Sequence, residues 1–351
     1  MVVGTVAVAL VVIVILAAAG HRGSTSSATV PSAAPPKAVP VRTTTTTAPV
    51  ARPPYPVGSL VLTITVPASG NVPTRTFPTY VRYPARSGTA AGPPPLAPVR
   101  NPGRFPLIVF SGGYDVSPEE YSTLLDAWAA AGFVVADPVY PFTTPFLGQE
   151  LEESDMVHHP ADLSAVITAL LTADSGSATG AEGVLAGTID PAAIGVVGHS
   201  DGGDVSLAAA ANTCCRDPRI RAAVILSGAE DTLFPGTYFP VGPDLPLLVV
   251  QGTADAVNPP GCSVQLYDQA PLPKYYLSME GQTHQSPYLQ AGTARDTVQQ
   301  VVEDFLSSTL DHSKPAQAAM VRDGNVPGSS TLTAGGPSGV PTGNCPGAPD
   351  N

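Results

Sequence analysis

Of the chain's 351 residues, roughly 270 fall in segments able to fold, enough for one large core that needs neither disulfides nor a metal. Against 28 acidic side chains stand 16 basic ones, a formal net charge of -12. That balance argues against nucleic acid or any anionic polymer as a partner and favours neutral ligands.

The chain opens on an apolar run, Val2 to Ala19, long enough to span a bilayer and equally compatible with a signal peptide cut after Ala17-Ala18-Ala19. Residues 1–20 therefore read as a signal peptide or a membrane anchor. The basic residues expected ahead of such a run are missing and Arg22 follows it, which points to a start upstream of Met1. Residues 21–56 are dominated by Ser, Thr, Ala and Pro, including Thr43 to Thr47, a composition that suits an extended spacer outside the membrane. The folded domain is expected over 57–335, exported or at the cell surface, with 336–351 as a loose tail.

Strand-like segments follow at 58–66 and 76–83, then at 106–111, which runs into Ser111-Gly112-Gly113-Tyr114-Asp115. A helix is expected over 117–131, with Ser117 as N-cap, Pro118 in the first turn and Glu120 placed to complete a capping box. A strand at 133–139 leads to a helix at 160–173. The polar group Asp155, His158, His159 and Asp162 at its start lacks zinc spacing and reads as a helix entrance, with no metal expected.

The next pair carries the strongest signal. The apolar strand 193–199 meets a helix at 201–212 through Gly198-His199-Ser200-Asp201-Gly202, a strand-to-helix elbow that lifts the Ser200 hydroxyl clear of the sheet. A serine hydroxyl is a poor nucleophile at neutral pH, so this chemistry needs a histidine base and a carboxylate that holds its tautomer. Strands at 219–227 and 246–251 each end near a loop acid, and the tip of Gln251-Gly252-Thr253-Ala254-Asp255 makes Asp255 the first choice and Asp231 the alternative. After a helix at 260–269 and a strand at 274–279, the loop Glu280-Gly281-Gln282-Thr283-His284-Gln285 offers His284 as the base. His312 comes only after the last expected helix, 295–309. The oxyanion donors are expected to be the amides of Asp201 and Tyr114, with Gly113 the alternative to Tyr114.

Alternating strands and helices predict the α/β class, a mainly parallel central sheet with helices on both faces. The connection Ala229 to Asp244 is too short for a helical cap, so the site should be open with no large lid domain. Phe142, Phe146, Phe234, Tyr238 and Phe239 sit in loops that leave catalytic strand ends, where they could line an apolar acyl groove or pack as ordinary loop residues. Cys214 and Cys215 follow the helix from Ser200 and Cys262 follows Asp255, at opposite ends of the sheet, so Cys262 should not pair with either. Two arrangements remain: Cys262 with Cys345 beside a vicinal bond, or Cys345 with the doublet and Cys262 free.

Gly198 to Gly202, Gly252 to Asp255, Thr283-His284 and Ser111 to Tyr114 together resemble the secreted serine α/β-hydrolases related to dienelactone hydrolases, platelet-activating-factor acetylhydrolases, chlorophyllases and bacterial polyester hydrolases. The resemblance spans about 58–310, and serine stands where dienelactone hydrolases proper carry cysteine. It implies an α/β-hydrolase fold and an ester hydrolase, lipase-like or cutinase-like, with Ser200, Asp255 and His284 as triad and no cofactor. Neutral small-molecule or polymeric esters are the expected substrates, no nucleic acid is a partner, and the enzyme is expected to act as a monomer. Acyl transfer by the same triad is one alternative, and a non-catalytic cell-surface binding protein is the other.

Overall fold

The computed structural model describes residues 54–86, 104–177, 180–240, 245–340 and 345. The apolar N-terminal run and nearly all of the spacer lie outside them. The strands are β1 (Val57–Val66), β2 (Arg75–Pro84), β3 (Phe105–Ser111), β4 (Val134–Pro138), β5 (Ile189–His199), β6 (Ile220–Leu226), β7 (Leu247–Gly252), β8 (Lys274–Met279) and β9 (Ser330–Ala334). They form one sheet in the order β1-β2-β4-β3-β5-β6-β7-β8-β9. From β4 to β8 every neighbouring pair is parallel, while β1, β2 and β9 join antiparallel at the margins.

The central strands are apolar on both sides, as a sheet covered on both faces requires. Leu107, Val109, Ile194 and Val196 pack into one core layer, and their chain neighbours Ile108, Phe110, Ala193 and Val197 into the other. Helices α2 (His159–Asp174), α3 (Asp201–Ala211) and α4 (Pro260–Gln269) cover the first layer. The second is covered by α1 (Pro118–Ala131), α5 (Ser286–Leu289), α6 (Thr293–Leu310) and α7 (Lys314–Asp323). At the start of α1, the Ser117 amide donates to the Glu120 carboxylate at 3.1 Å and Pro118 occupies the first turn, as the capping signal predicts.

Three elements depart from the sequence reading, which places no regular structure at 286–289 or from 310 onward: the short α5, and α7 and β9 beyond it. Helix α7 buries only Ala316 and Met320, and β9 owes its form to backbone pairing with β8 rather than to an apolar run. His312 sits exposed between α6 and α7. Of the two disulfide arrangements, the structure has the first: Cys262 with Cys345, their Cα atoms 4.7 Å apart, and Cys214 with Cys215.

The polar entrance to α2 is an ionic clamp. Arg75 Nε donates to both oxygens of Asp162 at 3.0 and 2.9 Å, and its two terminal nitrogens donate to Asp155 at 2.9 and 2.7 Å. The His159 ring stacks on Tyr140, centroids 4.3 Å apart, with Nε2 3.4 Å from Asp155 Oδ2. Burial alone would raise the Asp155 carboxyl, yet the adjacent His159 ring and the hydrogen bonds and charge of Arg75 hold it at about 2. Removing Arg75 strands the buried Asp162 and the half-buried Asp155 carboxylates, so Arg75→Ala should cost about 3–5 kcal/mol in urea unfolding at pH 7. A carboxyl held below its unfolded value stabilises the fold above about pH 4 and loses that contribution as the pH falls toward about 2. The deficit of Arg75→Ala should therefore shrink over that acid window, and a deficit that grew there would contradict the clamp.

Candidate active site

Strand β5 delivers His199 to the carboxyl edge of the parallel block and Ser200 turns the chain into α3 with φ 56° and ψ -129°. A side chain is rarely held at such a positive φ, and here the surrounding glycines permit it. A Cβ on Gly198 would overlap the Gly202 carbonyl, and one on Gly202 would overlap the Ser111 carbonyl of the neighbouring β3. Only glycine at both positions lets the elbow close against the sheet.

Strand β7 lies two places from β5, and the turn after it carries Asp255; the turn after β8 carries His284. The structure brings all three residues together. Ser200 Oγ lies 2.9 Å from His284 Nε2, and His284 Nδ1 lies 2.9 Å from Asp255 Oδ2. A carboxylate can only accept, so Nδ1 carries the hydrogen and Nε2 is left to accept from the serine hydroxyl.

Asp255 is buried and accepts N–H groups from four residues: His284, Gln251 at 3.0 Å, and the amides of Val257 at 2.9 Å and Asn258 at 3.0 Å. Burial alone would raise its pKa, but the hydrogen bond and charge of His284, followed by the other donors, bring it below the ordinary carboxylate range. The group stays ionised through neutral pH. Asp231, the alternative acid, is engaged elsewhere: its Oδ1 accepts from the Leu233 amide at 2.7 Å and its own amide donates to Tyr238 Oη at 3.1 Å.

The loop after β3 forms the candidate oxyanion side. An added Cβ on Gly113 would stand 3.1 Å from the Ser200 Cβ, so this loop closes directly over Ser200. The Gly113 amide itself donates to Tyr121 Oη at 3.1 Å, which leaves the next amide, that of Tyr114, as this loop's candidate donor. The Asp201 amide, the other candidate donor, lies in the first turn of α3, where the helix dipole favours negative charge. Its side chain sits in an acidic rim: burial, then Glu153 and Asp231, raise the Asp201 carboxyl to about 7.

The expected acyl groove requires correction. Phe234 and Tyr238 are 2% and 7% exposed and belong to the core against α3. Phe239 is half-buried at the far end of that helix, its amide donating to the Ala211 carbonyl at 2.8 Å. The connection after β6 starts beside the site, where the Ala229 amide donates to Asp204, and then runs back along α3 to Asn212, whose side chain donates to the Phe234 carbonyl. A loop that folds down the outside of a helix carries its aromatics away from the catalytic edge, which sequence position alone does not reveal. Phe142 does stay exposed, at 37%, on the loop after β4, while the Phe146 side chain lies outside the described residues. Two exposed aliphatics that the sequence reading passed over, Leu233 at 40% and Val257 at 65%, stand on loops leaving the same edge after β6 and β7.

The chlorophyllase family model matches residues 65–226, a span that contains the Gly112-Gly113 loop and the Ser200 elbow and stops before Asp255 and His284. No curated protein matches the chain. Joined to a sheet that is parallel from β4 to β8 with helices on both faces, as in the α/β-hydrolase fold, the match makes the chain similar to the chlorophyllases and supports an ester hydrolase of the serine type.

Proposed function

We propose that the protein is an exported serine carboxylic-ester hydrolase that works through a covalent acyl-enzyme on neutral acyl or polymeric esters. The observation that carries this reading is the unbroken hydrogen-bonded chain from Ser200 Oγ through His284 to Asp255, 2.9 Å at each step. Ser200 attacks the ester carbonyl as His284 Nε2 takes its proton; the amides of Asp201 and Tyr114 hold the oxyanion, and His284 returns the proton to the departing alcohol. Water, activated by the same nitrogen, then releases the acid. Two disulfides and the Pro/Thr/Ser-rich spacer favour an oxidising, exported setting.

A fluorophosphonate should label the purified protein on the peptide that contains Ser200, and neutral short-chain esters should turn over. Absence of both would favour a binding protein on a hydrolase fold. Ester product formed at the expense of acid when alcohols are added would favour acyl transfer.

The choice of neutral esters rests on the exposed apolar side chains of Phe142 and Val257, on loops that leave an edge otherwise rimmed by acids. In a C2 to C12 ester series, Phe142→Ser should depress kcat/KM for the long chains most, by about 0.8 kcal/mol for each methylene that loses contact. Phe234→Ala should instead lower stability by about 3–5 kcal/mol, as for any deeply buried phenylalanine, with chain-length preference unchanged. Equal losses across all chain lengths in Phe142→Ser would remove Phe142 from the acyl site.

A further inference from the structure

We propose that His199, the residue before the nucleophile, is a positioning residue that locks the loop of the base to the loop over the nucleophile; this rests on the triad reading above. His199 is 1% exposed, yet both ring nitrogens are partnered. Nε2 lies 2.9 Å from the backbone carbonyl oxygen of His284, and Nδ1 lies 2.7 Å from Tyr121 Oη. A carbonyl can only accept, so Nε2 carries the hydrogen and Nδ1 of the neutral ring accepts. Tyr121 must then donate to Nδ1, while its oxygen accepts from the Gly113 amide at 3.1 Å.

The polarity of the chain is thereby fixed. It runs from the Gly113 N–H through the Tyr121 hydroxyl and the His199 ring to the His284 carbonyl, and each hydrogen is used once. The ring is also wedged between aromatic neighbours, with centroids 4.9 Å from His284, 4.7 Å from Tyr288 and 5.8 Å from Tyr121. Burial, then the charge of His284, push the His199 pKa down to about 3, so the ring remains neutral when His284 takes the serine proton.

This arrangement has two effects on the chemistry. His284 belongs to a turn, and a turn is held in place by its backbone contacts; the bond from His199 Nε2 ties that backbone to the strand end that carries Ser200. At the other end, Tyr121 occupies the Gly113 amide, and Tyr114 is left to meet the oxyanion. His199 touches neither substrate nor the reacting atoms, and its influence is on the spacing between Ser200 Oγ and His284 Nε2 and on the loop above them.

The test uses His199→Phe, Tyr121→Phe, the double variant and Ser200→Ala, each assayed for kcat and KM on a neutral short-chain ester and for melting temperature. Misplacement of reacting groups by about an ångström costs up to about a hundredfold, so each single variant should lose about 10- to 100-fold in kcat with KM within about twofold. Because the two groups act through one chain, the double variant should be no slower than His199→Phe. Losses that multiply would show two separate roles and overturn the relay. Should His199→Phe fail to fold, Tyr121→Phe decides alone, since it keeps the ring and removes only the hydroxyl; wild-type kcat in it overturns the proposal. Inactive Ser200→Ala alongside fully active Tyr121→Phe would remove the positioning role only, whereas active Ser200→Ala would remove the triad reading beneath it.

Discussion

Alanine in place of Ser200 is expected to lower ester turnover at least about a thousandfold, because binding and oxyanion donors alone retain only a small remainder of the rate. The fold should be unaffected. Ser200 adopts its positive φ whether or not Oγ is present, and alanine keeps the same Cβ, so the elbow loses one hydrogen bond, that to His284 Nε2. Adding His284→Ala to Ser200→Ala should slow the enzyme little further, since the nucleophile and its base act as a unit. Loss of fluorophosphonate labelling should accompany the loss of turnover. A purified, folded Ser200→Ala protein with near-wild-type kcat/KM would remove Ser200 from the mechanism, and with it the acyl-enzyme.

What the sequence made legible were features set by local chemistry. The elbow could be read because glycines two residues to either side of Ser200 are demanded by backbone approach, and the structure puts carbonyl oxygens where their side chains would be. The parallel block could be read because strands such as 193–199 and 246–251 are apolar on both faces. Strand β9 and helix α7 escaped notice because their order comes from pairing and docking onto β8 and α6, which no short apolar pattern announces. Phe234, Tyr238 and Phe239 were misplaced for a related reason. Their loop does leave the catalytic edge, but its path is set by Asn212 and Ala211 at the far end of α3, long-range contacts with no local sign. His199, Tyr121 and Gln251 are a third case, polar residues near the carboxyl edge whose partners carry no local sign: His199 closes β5 and bonds Tyr121 of α1, 78 positions away, and His284, 85 positions away, while Gln251 near the end of β7 bonds the adjoining turn. A buried glutamine closing the apolar strand β7, just before the acid, was the one signal that could have been taken.

Asp255→Asn is expected to cost kcat on the order of a thousand- to ten-thousandfold, and Asp231→Asn far less. The reason lies in the direction of the hydrogen bonds. Asp255 Oδ1 accepts from the Val257 and Asn258 amides, so the oxygen of an introduced carboxamide must face those two donors. Its NH2 is thereby turned toward His284 Nδ1, where the native carboxylate accepts. Two donors cannot share that contact, so Nδ1 must become the acceptor and the ring hydrogen moves to Nε2. That nitrogen then cannot take the proton of Ser200, which lies 2.9 Å away and itself has to donate. The Gln251 side chain, 3.0 Å from Oδ2, meets the same reversal and reinforces the loss. At Asp231 the single short bond runs from the Leu233 amide to Oδ1, and a carboxamide oxygen accepts it equally well, so the turn persists and His284 keeps its tautomer. Steady-state kcat of both purified variants, with melting temperatures to show that each is folded, separates the two acids. A larger loss in Asp231→Asn than in Asp255→Asn would move the acid to the loop after β6 while leaving the serine chemistry of Ser200 and His284 in place.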